Sequence, residues 1–293
     1  MNYLVRHRTT YRYLQDVSTS RHLVHLRPRG TSTQKVTRHV LDVTPEPAQR
    51  VRRKDFFGNG AEWLSMEEPH GTLELLAESQ VNAVPASERD AAASEPWETV
   101  HALLEEPDGP GVRDAVQFAF DSALTVFTAD LASYARESFP PGRPLLDGAI
   151  DLMGRIHSDF RYDTTVTDAS TPIDRVFEIR AGVCQDLAQI GIAAMRSLGF
   201  SARYVSGYLL TQPPPGRPRL LGADASHAWF SVWAPPYGWV DLDPTNNVLP
   251  SDEHITLAWG RDYSDVAPIN GIVTGGADHV IEVGVDVIPM ERI

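Results

Sequence analysis

The sole cysteine of the 293-residue chain, Cys184, is the strongest candidate for a nucleophile. The apolar residues behind it recur at intervals of three and four, which predicts one buried helix face: Leu187, Ile190, Gly191, Ala194, Met195 and Leu198. Gly199 is typical of the position just past a helix end. Cys184 is therefore expected at a helix N-terminus, where free N–H groups and the helix dipole stabilise an anion such as a thiolate. A small buried hydrophobe is the alternative role.

A histidine and an aspartate follow on a predicted β-hairpin whose turn contains proline and glycine. If the turn is centred near Pro235, His227 lies opposite Asp243 and Trp229 lies opposite Asp241. The Cβ atoms of directly opposed residues are then about 5 Å apart on one face of the sheet. A shift of two residues in the pairing would place Asp241 opposite His227 instead. The paired strands are predicted over residues 225–233 and 239–243.

Together, Cys184, His227 and Asp243 supply a nucleophile, a base and a group that orients the base. A thiol needs a base or an imidazolium partner to react as a thiolate, and the base needs a third group to fix its tautomer. Taken alone, His227 is explained as a hydrogen-bonded strand residue and Asp243 as a turn residue before Pro244. The three in this chain order indicate nucleophilic acyl transfer through a thioester.

Three segments around these residues resemble the core motifs of the transglutaminase-like superfamily. They are residues 180–187, 226–232 and 238–246. The resemblance implies a papain-like α+β fold, in which the helix that carries Cys184 packs on an antiparallel sheet. It also implies Cys184 as nucleophile, His227 as base and Asp243, rather than Asp241, as the orienting acid. The superfamily hosts peptidases, acyltransferases, amidases and members that have lost activity, so the resemblance does not define a substrate.

Other segments resemble a bacterial subgroup of this superfamily whose members are described as candidate cysteine proteases. They are residues 10–13, 26–28, 55–59, 199–208 and 260–268. The first three resemble the extra N-terminal β region of that subgroup. Extended segments separated by turns also predict a small, antiparallel, sandwich-like β domain over residues 1–85. Residues 86–293 are then expected to form a helical segment and the catalytic core.

Acyl transfer also requires hydrogen-bond donors for the developing oxyanion. The backbone N–H of Cys184 is the natural first donor because it lies at a helix start. Transglutaminases use an upstream aromatic residue as a second donor, and the resemblance makes Tyr162 the candidate here. The candidates for the substrate groove are Gln185, Asp186, Trp229, Arg261 and Tyr263, with the Pro-rich stretch 212–218 as a further border. Because a helix turn carries neighbours around its axis, Gln185 and Asp186 cannot both face the substrate.

The composition, 42% apolar and 22% charged, is that of an ordinary globular protein. A formal net charge of −13 argues against nucleic acid or an anionic membrane as a partner. One cysteine allows no internal disulfide, and no apolar run predicts a signal peptide or a membrane span, so the cytoplasm is the expected location. His22 and His25 would face opposite sides of a strand, so no metal site is predicted. No cofactor is expected.

The leading hypothesis is a cysteine-dependent hydrolase that cleaves a peptide or isopeptide amide bond through a thioester. Transglutaminase-type acyl transfer from glutamine to an amine is the alternative with the same first half-reaction. A non-catalytic binding module of the same fold is the third, and the intact Cys184, His227 and Asp243 argue against it. Hydrolysis is favoured because transfer needs exclusion of water and capture of an amine. The expected partner is a peptide or protein amide; the oligomeric state is not predicted.

Overall fold

The computed structural model describes residues 1–211 and 225–290. The stretch 212–218, predicted as a border of the groove, lies outside these residues. The described residues form two larger antiparallel sheets, and most of the helices lie in the part of the sequence between the first strands of each sheet. This confirms the predicted α+β fold class. No helix in this part of the chain is long and apolar enough to cross a membrane.

The elements follow one another in the order strands, helices, then mixed strands and helices. The strands are β1 (Asn2–Val24), β2 (Gln34–Thr44), β3 (Gln49–Lys54), β4 (Gly60–Met66), β5 (His70–Ala83), β6 (Arg161–Tyr162), β7 (Ala181–Gly182), β8 (Ala202–Leu209), β9 (Ala225–Trp233), β10 (Trp239–Leu242), β11 (His254–Gly260), β12 (Ile269–Gly275) and β13 (His279–Met290). The helices are α1 (Trp97–Glu105), α2 (Pro110–Val116), α3 (Ala129–Arg136), α4 (Leu145–Asp159), α5 (Ile173–Ile179), α6 (Cys184–Arg196) and α7 (Tyr263–Val266).

The first sheet has seven strands and is organised around the long strand β1. The first half of β1 pairs with β5 and β13, and its second half pairs with β4 and β12, all antiparallel. β2 and β3 lie outside β5 and β4. Apolar side chains of β2 and β5 share one buried cluster with β4 and the end of β1, so the sheet curves onto itself.

This sheet differs from the prediction in three respects. The sequence predicts separate strands over 3–13 and 20–27, but backbone hydrogen bonds from Leu14 to Asp278 (2.9 Å) and from Gln15 to Gly276 (3.3 Å) keep β1 continuous. Strand β3 is not predicted, because its side chains are mostly exposed and charged and do not alternate. β12 and β13 also belong to this sheet, so a domain boundary at residue 85 leaves out two of its strands.

The second sheet, in the order β10-β9-β8-β11, carries the helix α6 on one face. The apolar side of α6 packs against alternate residues of the sheet: Ala228, Phe230, Val232, Val240 and Leu242, all buried. Gly191 allows the close approach, since a Cβ there would lie 2.6 Å from the ring of Phe230. The helix begins at Cys184, as the apolar spacing predicts, and Gly199 follows its end with a φ of +83°.

The β9–β10 hairpin forms, but its predicted register is wrong by two residues. Asp241 pairs with Ser231, not with Trp229, because the turn is centred on Pro236 rather than Pro235. The other register considered, with Asp241 opposite His227, is not formed either. An even shift leaves every side chain on its predicted face, so the histidine and the aspartates still share one side of the sheet.

Candidate active site

Cys184 is the first residue of α6 and is half-buried. The turn before it is held by Asp186, whose carboxylate accepts the Val183 N–H at 2.8 Å and the Thr167 hydroxyl at 2.7 Å. Gly182 makes room for this contact, because a Cβ there would lie 2.5 Å from the Asp186 carboxylate. The helix start therefore holds the thiol where the free N–H groups of the first turn can stabilise negative charge.

His227 and Asp243 are joined by a hydrogen bond of 2.7 Å between Nε2 and Oδ2. Both side chains are buried, at 6% and 0% exposure. Cys184 lines the same cleft as His227 and lies close enough to raise the pKa of its imidazole. Since Nε2 is taken up by the aspartate, Nδ1 is left for the thiol. The structure thus brings the three predicted residues together. Asp243 is the residue after the end of β10, and its backbone pairs with Val248 rather than with His227.

The carboxylate of Asp243 accepts five hydrogen bonds. Oδ2 accepts Nε2 of His227, Nε2 of His254 at 3.1 Å and Nδ2 of Asn246 at 2.7 Å. Oδ1 accepts the backbone N–H groups of Thr245 at 2.9 Å and Asn246 at 3.2 Å. The last two form an Asx turn, which the sequence Asp-Pro-Thr-Asn could have indicated. His254 comes from β11, and no local signal points to it.

These contacts set the charges at neutral pH. Burial lowers the pKa of His227, but the hydrogen bond to Asp243, the negative charge of Asp243 and the neighbouring Cys184 outweigh it and raise the pKa to about 9. Burial raises the pKa of Asp243, yet the hydrogen bonds from His227, His254 and Asn246 move it well below its usual range. The site therefore holds an imidazolium against a carboxylate, next to the thiol.

A cleft of about 370 Å³ opens beside Cys184 and His227. Gln185 and Tyr263, two of the predicted groove residues, line it. The first sheet supplies six further lining residues: His7, Thr9 and Tyr11 from β1, Ile269 from β12, and Ile281 and Val283 from β13. These residues are missed by sequence reasoning, because the paired residues of β1 and of β12 and β13 are at least 245 positions apart in the sequence.

Three predicted groove residues lie elsewhere. Asp186 is 1% exposed and holds the helix start. Trp229 is fully buried and lines a second cavity on the other face of the sheet. Arg261 is exposed and pairs with Asp265, with Nε 2.9 Å from Oδ2. These three side chains do not line the described cleft.

Tyr162, the predicted second oxyanion donor, lies near the thiol but outside the lining of the cleft. The parallel pair β6–β7 places it opposite Gly182, two residues before Cys184. Partial burial and the neighbouring Cys184 raise its pKa, while its side chain stays 54% exposed. The N–H of Cys184, at the first position of α6, has no partner within the helix and is free to donate.

The histidines considered as metal ligands have other partners. His22 contacts the hydroxyl of Ser20 at 2.9 Å, and Nε2 of His25 lies 3.4 Å from Asp55. The potential ligand atoms of His227, Asp243 and His254 all lie within 4.8 Å of one another. The Nε2 atoms of the two histidines lie at hydrogen-bond distance from Oδ2 of Asp243. This is the geometry of a hydrogen-bonded network rather than of ligands around an ion.

Comparison with known families assigns most of the chain. Residues 3–82 match the bacterial transglutaminase-like N-terminal region, and residues 132–244 match the transglutaminase-like superfamily. The chain belongs to the transglutaminase-like superfamily. An uncharacterised superfamily relative from Mycobacterium tuberculosis is 40% identical over 297 aligned residues, covering 99% of this chain and 93% of the relative. One from Mycobacterium leprae is 29% identical and covers 97% of both chains.

Two further similarities of this transglutaminase-like chain are to proteins named for an activity. A protein-glutamine gamma-glutamyltransferase of Pseudomonas aeruginosa is 34% identical over 123 residues, which cover 39% of this chain and 18% of that protein. The crystal structure of a candidate cysteine protease from Cytophaga hutchinsonii superposes with a TM-score of 0.73 at 21% identity, covering 100% of this chain and 92% of that chain. The second similarity supports the fold alone.

Proposed function

We propose that the protein is a cysteine-dependent hydrolase that cleaves a peptide or isopeptide amide bond with Cys184, His227 and Asp243. The observation that carries the proposal is the buried 2.7 Å pair of His227 and Asp243, with the imidazole beside a thiol at a helix start. A thiol, an imidazole and an orienting carboxylate in this order are what nucleophilic acyl transfer requires.

In the first half-reaction the Cys184 thiolate attacks the substrate carbonyl carbon. The imidazolium of His227 gives its proton to the departing amine, the C–N bond breaks, and a thioester remains. In the second half-reaction His227 takes a proton from water, and the hydroxide attacks the thioester carbonyl. The carboxylic acid leaves, and the thiolate–imidazolium pair is restored.

Asp243 holds the ring of His227 and stabilises its positive charge throughout. Its five hydrogen bonds keep it ionised, so it is not expected to take the proton itself. The N–H of Cys184 is the proposed first donor to the tetrahedral oxyanion, and the Tyr162 hydroxyl is proposed as the second. Tyr162 would need to turn from its exposed position toward the substrate.

The shape of the cleft favours a chain-like amide substrate. The cleft lies between the two sheets, with Tyr204 and Tyr263 on one side and the aliphatic Ile281 and Val283 of β13 on the other. Side chains of this kind contact the apolar parts of an extended peptide. A peptide or protein is therefore the proposed partner. A reducing compartment such as the cytoplasm would keep Cys184 free, and we retain that location as part of the proposal.

Acyl transfer to an amine is the second candidate, favoured by the similarity of 123 residues to a protein-glutamine gamma-glutamyltransferase. Both reactions share the thioester and differ in whether water or an amine resolves it. An open cleft with water at about 55 M favours hydrolysis unless water is excluded.

The test is to incubate the protein with peptides that contain glutamine, with and without an excess of a primary amine. Mass spectrometry should detect an acylated Cys184 and products shifted by hydrolysis. Cys184→Ala provides the control for background hydrolysis. If the amide-exchanged peptide dominates at millimolar amine, transfer replaces hydrolysis. If Cys184 is never acylated by any peptide library, the enzymatic proposal fails.

A further inference from the structure

A second cavity, of about 320 Å³, lies on the face of the second sheet that is turned away from α6. Its floor is formed by side chains of that sheet, and residues 31–34, 83–89 and 250–252 surround its mouth. The side chains that matter for its chemistry are Arg203, Trp229, Trp239, Asp241, His254 and Trp259. None of the three predicted catalytic side chains lines this cavity.

Arg203 is a buried cation with an unused donor. Its side chain is 7% exposed, and its guanidinium lies between the rings of Trp239 and Trp259, at 4.2 and 3.8 Å from their centroids. Its Nε has no hydrogen-bond partner in the described part of the chain. Burial lowers the pKa of Arg203 and Asp241 only partly offsets this, so the charge is incompletely compensated.

Two more buried nitrogen atoms of the same cavity are unpartnered. Nε1 of the fully buried Trp229 has no acceptor among the described residues, and Nδ1 of His254 is likewise free. The two rings meet edge to face with centroids 5.3 Å apart. Trp229 cannot easily turn away, because its ring lies over Gly207, where a Cβ would collide with it. The Trp229 N–H is a buried donor without a partner, which is rare in folded proteins, whereas Nδ1 of His254 is an acceptor when Nε2 donates to Asp243.

Water could satisfy these N–H groups, but it would leave the charge of Arg203 with only the partial compensation that Asp241 provides. We propose that the cavity binds a small organic monoanion, whose carboxylate accepts hydrogen bonds from Nε of Arg203 and Nε1 of Trp229. Arg89 and Arg203 are matched by Asp241 and Asp252 in the lining, so a dianion would be disfavoured more strongly than a monoanion. A planar carboxylate can accept from two donors at once. This site goes beyond the proposed function and needs no chemistry at Cys184.

The test is to titrate the Cys184→Ala protein with sodium acetate. Binding is measured by tryptophan fluorescence and by the midpoint temperature of thermal unfolding. Three tryptophans line the cavity, so binding should change the fluorescence saturably and raise the midpoint. Sodium chloride and sodium phosphate at the same ionic strength are the comparison salts. Neither should reproduce the acetate curve, because chloride offers no pair of oxygens and phosphate carries too much charge.

Two variants locate the site. Trp229→Phe removes the N–H and keeps a ring, and should weaken acetate binding about fivefold, the equivalent of one hydrogen bond. Arg203→Lys keeps a charge but loses the planar guanidinium, and should weaken binding about tenfold or more. Trp97→Phe is the control: it removes an indole on α1 that donates to the carbonyl of Pro140, and it should leave the affinity for acetate unchanged.

The proposal is overturned if acetate gives no saturable signal, if chloride reproduces it, or if phosphate binds more tightly. It is also overturned if Trp229→Phe, still folded by circular dichroism, binds as well as the parent. Because binding is measured without a nucleophile, failure of the hydrolase proposal would leave this result unaffected.

Discussion

Nε2 of His254 lies 3.1 Å from Oδ2 of Asp243, the oxygen that also accepts Nε2 of His227. Two imidazoles from different strands therefore share one acceptor atom of a fully buried carboxylate. The rings of the two histidines do not stack; their centroids are 6.0 Å apart and tilted by 48°. Replacing the His254 side chain should therefore affect His227, because it changes the hydrogen bonding and the position of Asp243.

His254→Phe should lower turnover several-fold and move the alkaline limb of the pH–rate profile to higher pH. Without the second histidine, the carboxylate has one donor fewer and interacts more strongly with His227, which stabilises the imidazolium. The measurement is kcat/KM against pH for both proteins, with His254→Gln as the variant that can still donate. A loss of rate with an unmoved profile would mean that His254 serves the fold alone.

The pKa of about 9 for His227 predicts the alkaline limit of activity. The imidazolium must give a proton to the leaving amine, so kcat/KM should fall as the pH rises through about 9. Protonation of His227 also contributes to the free energy of unfolding. Because the folded-state pKa lies above that of a free histidine, the stabilisation is complete below about pH 6.5 and is lost as the pH rises through about 9.

The free energy of unfolding, measured by urea denaturation between pH 6 and 10, should show this loss. His227→Gln is the matched control, since it removes the titrating group, and its loss over this range should be smaller. The low pKa of Asp243 has the opposite consequence: its contribution is present above about pH 4 and is lost in acid. An alkaline limb near pH 7 would contradict the charged pair.

Asp243→Asn should reduce turnover by up to about 10⁴, because an amide cannot stabilise the imidazolium and favours the wrong tautomer. Asp241→Asn is the control from the same hairpin. Asp241 accepts the hydroxyl of Ser231, which lies directly opposite it in the hairpin, and does not contact His227. Single-turnover kinetics with a peptide ester would separate the two. A damaging Asp241→Asn with a benign Asp243→Asn would reverse the assignment of the orienting acid.

The hairpin also shows which parts of the site sequence reasoning can reach. Alternation of apolar residues is a local property, so the faces of β9 and β10 are predicted correctly. Their register is not, because the stretch with Pro235, Pro236 and Gly238 allows more than one turn centre, and the choice depends on packing elsewhere. The spacing behind Cys184 is local in the same way, and α6 begins where it predicts.

Contacts between segments that are distant in the sequence cannot be predicted from local patterns. His254 approaches Asp243 because β11 pairs with β8 at the far edge of the sheet, and no pattern near His254 records this. The pairing of Val5 with Val287 brings β13 to the cleft in the same manner. Trp229 shares a face of β9 with His227, which predicts it in the groove, but its ring lies over Gly207 and lines the second cavity instead.

The last prediction concerns the turn that holds the nucleophile. Gly182→Ala should destabilise the protein by about 1–3 kcal/mol, because the new Cβ would lie 2.5 Å from the Asp186 carboxylate and 2.8 Å from its Cβ. Asp186 would have to release the Val183 N–H, and the start of α6 would shift. Turnover should therefore fall further than stability alone explains, even at temperatures where the variant is fully folded.

Gly154→Ala is the matched control. Gly154 lies within α4, and the nearest atom to an added Cβ is Oδ1 of Asn247 at 3.6 Å, an ordinary contact. Alanine should stabilise this helix by about 0.5–1 kcal/mol and leave turnover unchanged. Thermal unfolding and the rate of Cys184 alkylation by iodoacetamide measure both effects. If Gly182→Ala keeps the parental alkylation rate, the contact between Asp186 and Val183 does not position the thiol.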